Sequence, residues 1–193
     1  DLDLRGLGGG LLHLHRPVDH GEHLALLHPV ARIHGDAHHL PALTELSAKR
    51  DRKQLAAFLI EQMGAIMNYE GKFAILSATT DAPNQNKWIK GMQAAVKNPK
   101  YAKMQLVDVV YGDDKDQKSL TEAEALLTKH PDLKGIIAPT TVGVYGCAKA
   151  VEQAGVYPGG KNAKGAGVSV IGLGVAKQMQ RHLKDGIVPK VFL

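Results

Sequence analysis

Two short stretches carry most of the side chains that could meet a ligand. Residues 77–86 read Ser-Ala-Thr-Thr-Asp-Ala-Pro-Asn-Gln-Asn, and residues 139–141 read Pro-Thr-Thr. Hydroxyls and carboxamides donate and accept hydrogen bonds together, which suits the mixed polar edge of a sugar. Asn84 and Thr141 fit a second job equally well, the capping of the helices that follow them. Neither stretch supplies a catalytic constellation. No His stands with a Ser or Cys nucleophile, no carboxylate pair has a plausible base, and no metal-ligand spacing occurs.

Other candidates read as structure. Trp88 stands one turn beyond Asn84 among apolar residues at helical spacing, where an indole serves a core more often than a sugar face. Cys147, the single cysteine, excludes an internal disulfide and sits where a small buried residue is expected. His130 and His182 stand alone near helix ends, where the dipole favours a cation. Gly172-Leu-Gly174 follows a strand, but the third glycine of a dinucleotide loop would fall at Lys177.

The remaining histidines lie in a different kind of sequence. Residues 1–48 hold eight of the ten and contain no Lys, Asn, Gln, Met, Phe, Tyr, Trp or Cys. Gly and Pro interrupt every candidate helix there, and no steady period puts the imidazoles on one face as metal ligands. The segment is expected to fold poorly, having no large aromatic side chain to anchor a core. Its common residue types are those written with G- and C-rich codons, the signature of a wrong reading frame in a GC-rich gene. Residues 1–48 are therefore read as largely of that origin, and sequencing the source DNA tests this.

From residue 49 the usage is that of an ordinary domain, and two periodicities alternate. Lys53 to Met67 places Leu55, Phe58, Leu59, Met63, Ile66 and Met67 at helical spacing. Further helices are predicted over Asn84–Val96, Lys118–Lys129, Val142–Ala154 and Ala176–Lys184. Short apolar runs predict strands at Lys72–Ser77, Met104–Tyr111, Gly135–Ala138, Val168–Gly172 and from Val191. Strands alternating with helices of this length mean βαβ units, hence an α/β fold with a doubly wound parallel sheet covered on both faces. Ligands of such sheets lie beyond the carboxyl ends of the strands. That rule selects the loops 77–85, 112–117, 139–142 and 172–177.

The same residues resemble a known family. Gly71-Lys-Phe-Ala-Ile-Leu76, Asn84-Gln-Asn-Lys-Trp88, Tyr111-Gly-Asp-Asp114 with Asp116-Gln-Lys-Ser119, Gly135-Ile-Ile-Ala-Pro-Thr-Thr141, and Gly172-Leu-Gly174 with Gln178-Met179 are similar to the rhamnose-type solute-binding proteins of bacterial ABC importers. The resemblance runs in unbroken order from about Arg52 to Leu193. It implies one lobe of a two-lobe fold that clamps a sugar at a hinge cleft. It implies that Asn84 and Gln85 contact the ligand, and that Pro139 and Thr141 line the pocket. Asn84 stands where the binder of a furanosyl autoinducer has an acid, and a neutral residue fits a plain sugar. The opposing lobe should precede Arg52, and residues 1–48 resemble nothing in it. Weak or absent sugar binding is expected of one jaw alone.

The resemblance further implies a monomer with no cofactor and no catalytic role. In the intact protein it implies an ABC permease as partner and a periplasmic or cell-surface location. The chain opens on Asp1 and Asp3 with broken Leu-rich pieces, so any export signal is expected outside it. No run approaches the roughly 18 apolar residues of a membrane span. The formal charge of +5 is spread over helices and loops, not gathered into the stripe that tracks nucleic acid. The alternative from another class is the effector domain of a sugar-responsive transcription regulator. That reading needs a basic helix-turn-helix ahead of the lobe, and residues 1–48 offer none.

Overall fold

A computed structural model describes residues 52–192. The histidine-rich stretch and the reading given to residues 1–48 lie outside the described residues.

Helix α1 (Arg52–Ile66) leads into strand β1 (Glu70–Ser77), and helix α2 (Pro83–Ala95) follows. A 3-10 turn (Pro99–Tyr101) precedes β2 (Lys103–Tyr111), then α3 (Asp116–Lys129), β3 (Leu133–Ala138) and α4 (Thr141–Ala154). Strand β4 (Ser169–Leu173), helix α5 (Ala176–Lys184) and strand β5 (Lys190–Phe192) complete the order. Local chemistry sets these limits. Pro83, whose missing N–H costs nothing in a first turn, opens α2. Thr140 caps α4 by accepting from the Gly143 N–H at 2.9 Å. Gly155, at φ 67°, closes the same helix in the left-handed conformation that a Cβ disfavours.

All five strands are parallel, in the order β2-β1-β3-β4-β5. Alternate side chains of the central strands point to opposite faces. Phe73, Ile75, Ile137 and Ile171 pack with Leu59, Ile60 and Met63 of α1 and Met92 of α2. Ala74, Leu76, Ile136, Ala138 and Val170 pack instead with α3, α4 and α5, through Leu126, Val144, Cys147, Val151 and Met179. Because β1, β3 and β4 are buried on both sides, they read as continuous apolar runs rather than alternating ones. The doubly wound parallel sheet expected from the sequence is thus present.

Cys147 is fully buried in the second of these cores, and burial pushes its thiol far up, away from the reactive thiolate. Trp88 is half-buried and packs on the first core, with its Nε1–H buried and unpartnered among the described residues. Among the described residues no helix is long and apolar enough to cross a membrane.

Candidate functional site

Strand order 2-1-3-4-5 reverses direction between β1 and β3. The loops leaving those two strands run to opposite faces, and their parting opens a crevice at the carboxyl ends. The four residues expected at the site occupy its two walls. Asn84 and Gln85 lie in the first turn of α2, just beyond β1, while Pro139 and Thr141 lie just beyond β3. Asn84 is exposed, Gln85 and Thr141 are half-buried, and Pro139 is buried.

Gln85 joins the walls. Its carboxamide oxygen accepts from the Ser77 hydroxyl at 3.1 Å, and its Nε2 donates to the Pro139 carbonyl at 2.9 Å. One amide thus ties the end of β1 to the end of β3 across the switch point. One N–H and one lone pair of the amide remain beyond those two bonds. Ser77 is itself buried, at 1% exposure, so its hydroxyl needs this partner.

Capping accounts for neither Asn84 nor Thr141. The residue ahead of α2 is Ala82, which makes no side-chain cap, and the cap of α4 is Thr140. Among the described residues the side chains of Asn84 and Thr141 make no hydrogen bond. Both helices also aim their first-turn N–H groups at the crevice, and neither carries an acid in that turn. The walls therefore offer amide, hydroxyl and backbone donors, with carbonyl acceptors among them.

The lower loops are tied in as well. The Asn86 carboxamide donates to the Thr80 carbonyl at 2.7 Å, holding the turn before α2. The Thr79 hydroxyl beside Asp81 holds that carboxyl below its usual range, so the loop carries one anionic group at neutral pH. Beyond β2, Asp113 and Asp114 both adopt left-handed backbone, at φ 54° and 50°. The Asp113 N–H donates to the Ala78 carbonyl at 2.9 Å, and its carboxylate meets Lys118 at 2.6 Å.

The glycine pair after β4 serves close packing. A Cβ on Gly172 would run into the Ala138 carbonyl oxygen, and one on Gly174 would lie 3.7 Å from Thr141 Cα. These glycines let the β4 loop close against the Thr141 wall. The sequence places Ser77 and Thr140 in the loops that could meet a ligand, but gives neither the bond of Ser77 to Gln85 nor the cap that Thr140 makes. A lone serine ending an apolar strand is the signal that could have found the first.

Crevice, amide strap and paired helix N-termini describe an α/β lobe suited to holding a small polar ligand by hydrogen bonds. Residues 48–192 match the model of the periplasmic binding protein domain, and the chain belongs to that family. Solved structures agree. A sugar ABC transporter protein from Actinomyces odontolyticus ATCC 17982 is 41% identical over 72% of this chain and 42% of its own length, with a TM-score of 0.64. A solute-binding protein from Clostridium phytofermentas with bound L-rhamnose is 32% identical over 74% of this chain and 49% of its own, with a TM-score of 0.64. One from Burkholderia graminis C4D1M in complex with D-arabinose is 27% identical over 72% and 45%, with a TM-score of 0.62. The chain therefore spans less than half the length of these relatives.

Proposed function

We propose that this chain is a sugar-binding lobe of the substrate-binding component of a bacterial ABC importer, with a rhamnose-like monosaccharide as its ligand. Asn84, Gln85, Pro139 and Thr141 hold the sugar without chemistry, and the intact protein hands it to a permease outside the cytoplasm. The observation that carries the reading is the Gln85 strap across the switch point, flanked by the uncommitted Asn84 and Thr141 side chains. The relatives named above, all solute-binding or sugar-transporter proteins, favour this over the effector domain of a regulator.

Capture is a matter of hydrogen bonding and burial. Amide and hydroxyl groups satisfy the sugar's own donors and acceptors, and the crevice excludes water from one side of it. With one side open, affinity in the millimolar range is expected, worth about 4 kcal/mol. Amide NMR shifts with L-rhamnose, D-arabinose and a non-sugar polyol test the proposal. The expected result is a saturable response to sugar confined to residues 79–86, 139–142 and 172–175. No response at tens of millimolar sugar, or one centred elsewhere, overturns it.

A further inference from the structure

We propose that helix α5 is a pH-sensitive latch on the Thr141 wall of the crevice, released when the buried His182 that pins it becomes protonated. His182 is 2% exposed, and neither ring nitrogen makes a hydrogen bond among the described residues. Its ring stands edge-on to Tyr145 of α4 with centroids 5.6 Å apart, and Met179 is buried one turn earlier on the same helix. The His182 carbonyl accepts from the N–H groups of Ile187 and Val188, at 2.9 and 3.1 Å, so the residue also holds the turn into β5. One residue thus packs the last turn of α5 against α4 through its ring and holds the turn into β5 through its carbonyl.

A neutral imidazole fits that place and a charged one does not. From α4, Glu152 brings Oε2 to 3.4 Å from His182 Nε2, without hydrogen-bond alignment, and Lys149 lies over the Tyr145 ring. From α5 itself come Arg181 and Asp185, paired with each other at 3.5 Å. Glu152 already binds the Arg181 guanidinium, so an imidazolium would have to share that carboxylate with a permanent cation. Burial pushes the ring's affinity for a proton down more than Glu152 raises it. Burial here prevails over the favourable helix-end position expected from the sequence.

With the folded value depressed, the open state binds more protons as pH drops through the ordinary histidine range near about 6.5. Closure of α5 is therefore fully favoured above that range and lost below it. The movement reaches the crevice through a short path. Helix α5 begins two residues after Gly174, which packs toward Thr141 and donates its N–H to the Phe192 carbonyl at 2.8 Å. The consequence for a bound sugar rests on the function proposed above; the latch does not.

Hydrogen exchange of the full chain, corrected for intrinsic rates, tests the latch between about pH 7.5 and 5. Amides of α5 are expected to lose about tenfold or more of their protection while α4 holds, and His182→Gln and His182→Met are expected to flatten that response. Equal loss in the variants, no loss in the unsubstituted chain, or joint melting of α4 and α5 overturns it. An NMR titration of the His182 ring in the unsubstituted chain guards against variants that fail to fold. A midpoint below about 6.5 supports the latch, and one at or above that value overturns it. Sugar shifts absent at neutral pH count against the function alone.

Discussion

At the amino end of the sheet, Glu61 takes the hydroxyls of Tyr69 and Tyr101 and the ammonium of Lys100, each at 2.7 Å, and Lys72 meets Asp132 at 2.7 Å. At the carboxyl end, Asn84 and Thr141 are left with no side-chain partner among the described residues, and Gln85 spends only part of its hydrogen-bonding capacity. Charged and phenolic groups build the first end, while amides and hydroxyls line the crevice at the second. They differ also in commitment: the amino-end groups named satisfy each other, while Asn84, Thr141 and part of Gln85 at the crevice stay available. Both ends carry consecutive left-handed residues without glycine, Asn68-Tyr69 and Asp113-Asp114. At the amino end the Tyr69 ring is fixed by Glu61, by Lys100 over its face and by stacking on Tyr101. At the carboxyl end the corresponding turn braces the loop that leads to the crevice. Such backbone persists only where its surroundings over-determine it.

The largest effect is expected where the carboxyl end is most tightly built. Gly172→Ala would press a methyl on the Ala138 carbonyl oxygen, a backbone atom that cannot swing aside. A loss of about 2–3 kcal/mol in urea unfolding is expected. Gly174→Ala would press a side-chain methyl of Val191 at 3.3 Å, with Thr141 Cα at an ordinary contact distance of 3.7 Å, and should cost less than about 1 kcal/mol. Equal costs would break the claim that these glycines divide into a packing position and a tolerant one.

The committed amino end should reveal itself through pH. Hydrogen bonds from Lys100, Tyr69 and Tyr101 pull the Glu61 carboxyl down to about 2. Burial, then the same carboxylate, pushes the Tyr101 hydroxyl up to about 12. Because the folded value of Glu61 lies below the unfolded one, the unfolded chain binds the extra proton as pH falls. The Glu61 contribution is therefore present above about 4.5 and disappears as the pH drops toward about 2. Glu61→Gln should lower the melting temperature at neutral pH, and the gap to the unsubstituted chain should close progressively in acid. A gap that persists at about pH 2 would assign the effect to packing rather than charge.

Local pattern carried the elements of this fold well and their mutual arrangement poorly. The runs around Phe73-Ala-Ile-Leu76 and Gly135-Ile-Ile-Ala138 are strands within two residues of their expected limits, because burial on both faces writes itself as unbroken apolar sequence. The 3-10 turn at Pro99–Tyr101 leaves no mark in the pattern, although Asn98 caps it and Pro99 opens it, since three residues hold no period to detect. The crevice loops were legible from the rule for α/β sheets. The bond from Gln85 to Pro139 was not, because it joins residues 54 apart and depends on strand order, which no local signal records. A single position also separated Thr140, which caps α4, from Thr141, which does not. Both could cap by residue type, and only backbone geometry chooses between them.

That choice supports the smallest expected change in stability and the most pointed test of the comparison. Asn84 is exposed, lies inside the first turn of α2 rather than at its cap, and has no hydrogen-bonded partner among the described residues. A residue so placed contributes little to folding, and Asn84→Ala should alter stability by no more than about 0.5 kcal/mol. Any gain would come from the better helix propensity of alanine. The sugar response at residues 79–86 and 139–142 should nevertheless fall severalfold, since a ligand loses a donor and an acceptor together. Gln85→Glu supplies the contrast. Glutamate can still accept from Ser77, but its carboxylate would face the Pro139 carbonyl without an N–H to offer, so stability and sugar response should fall together. If Asn84→Ala destabilises the fold as much as Gln85→Glu does, Asn84 belongs with the committed groups. The distinction between the two ends of the sheet would then fail at the residue on which it most depends.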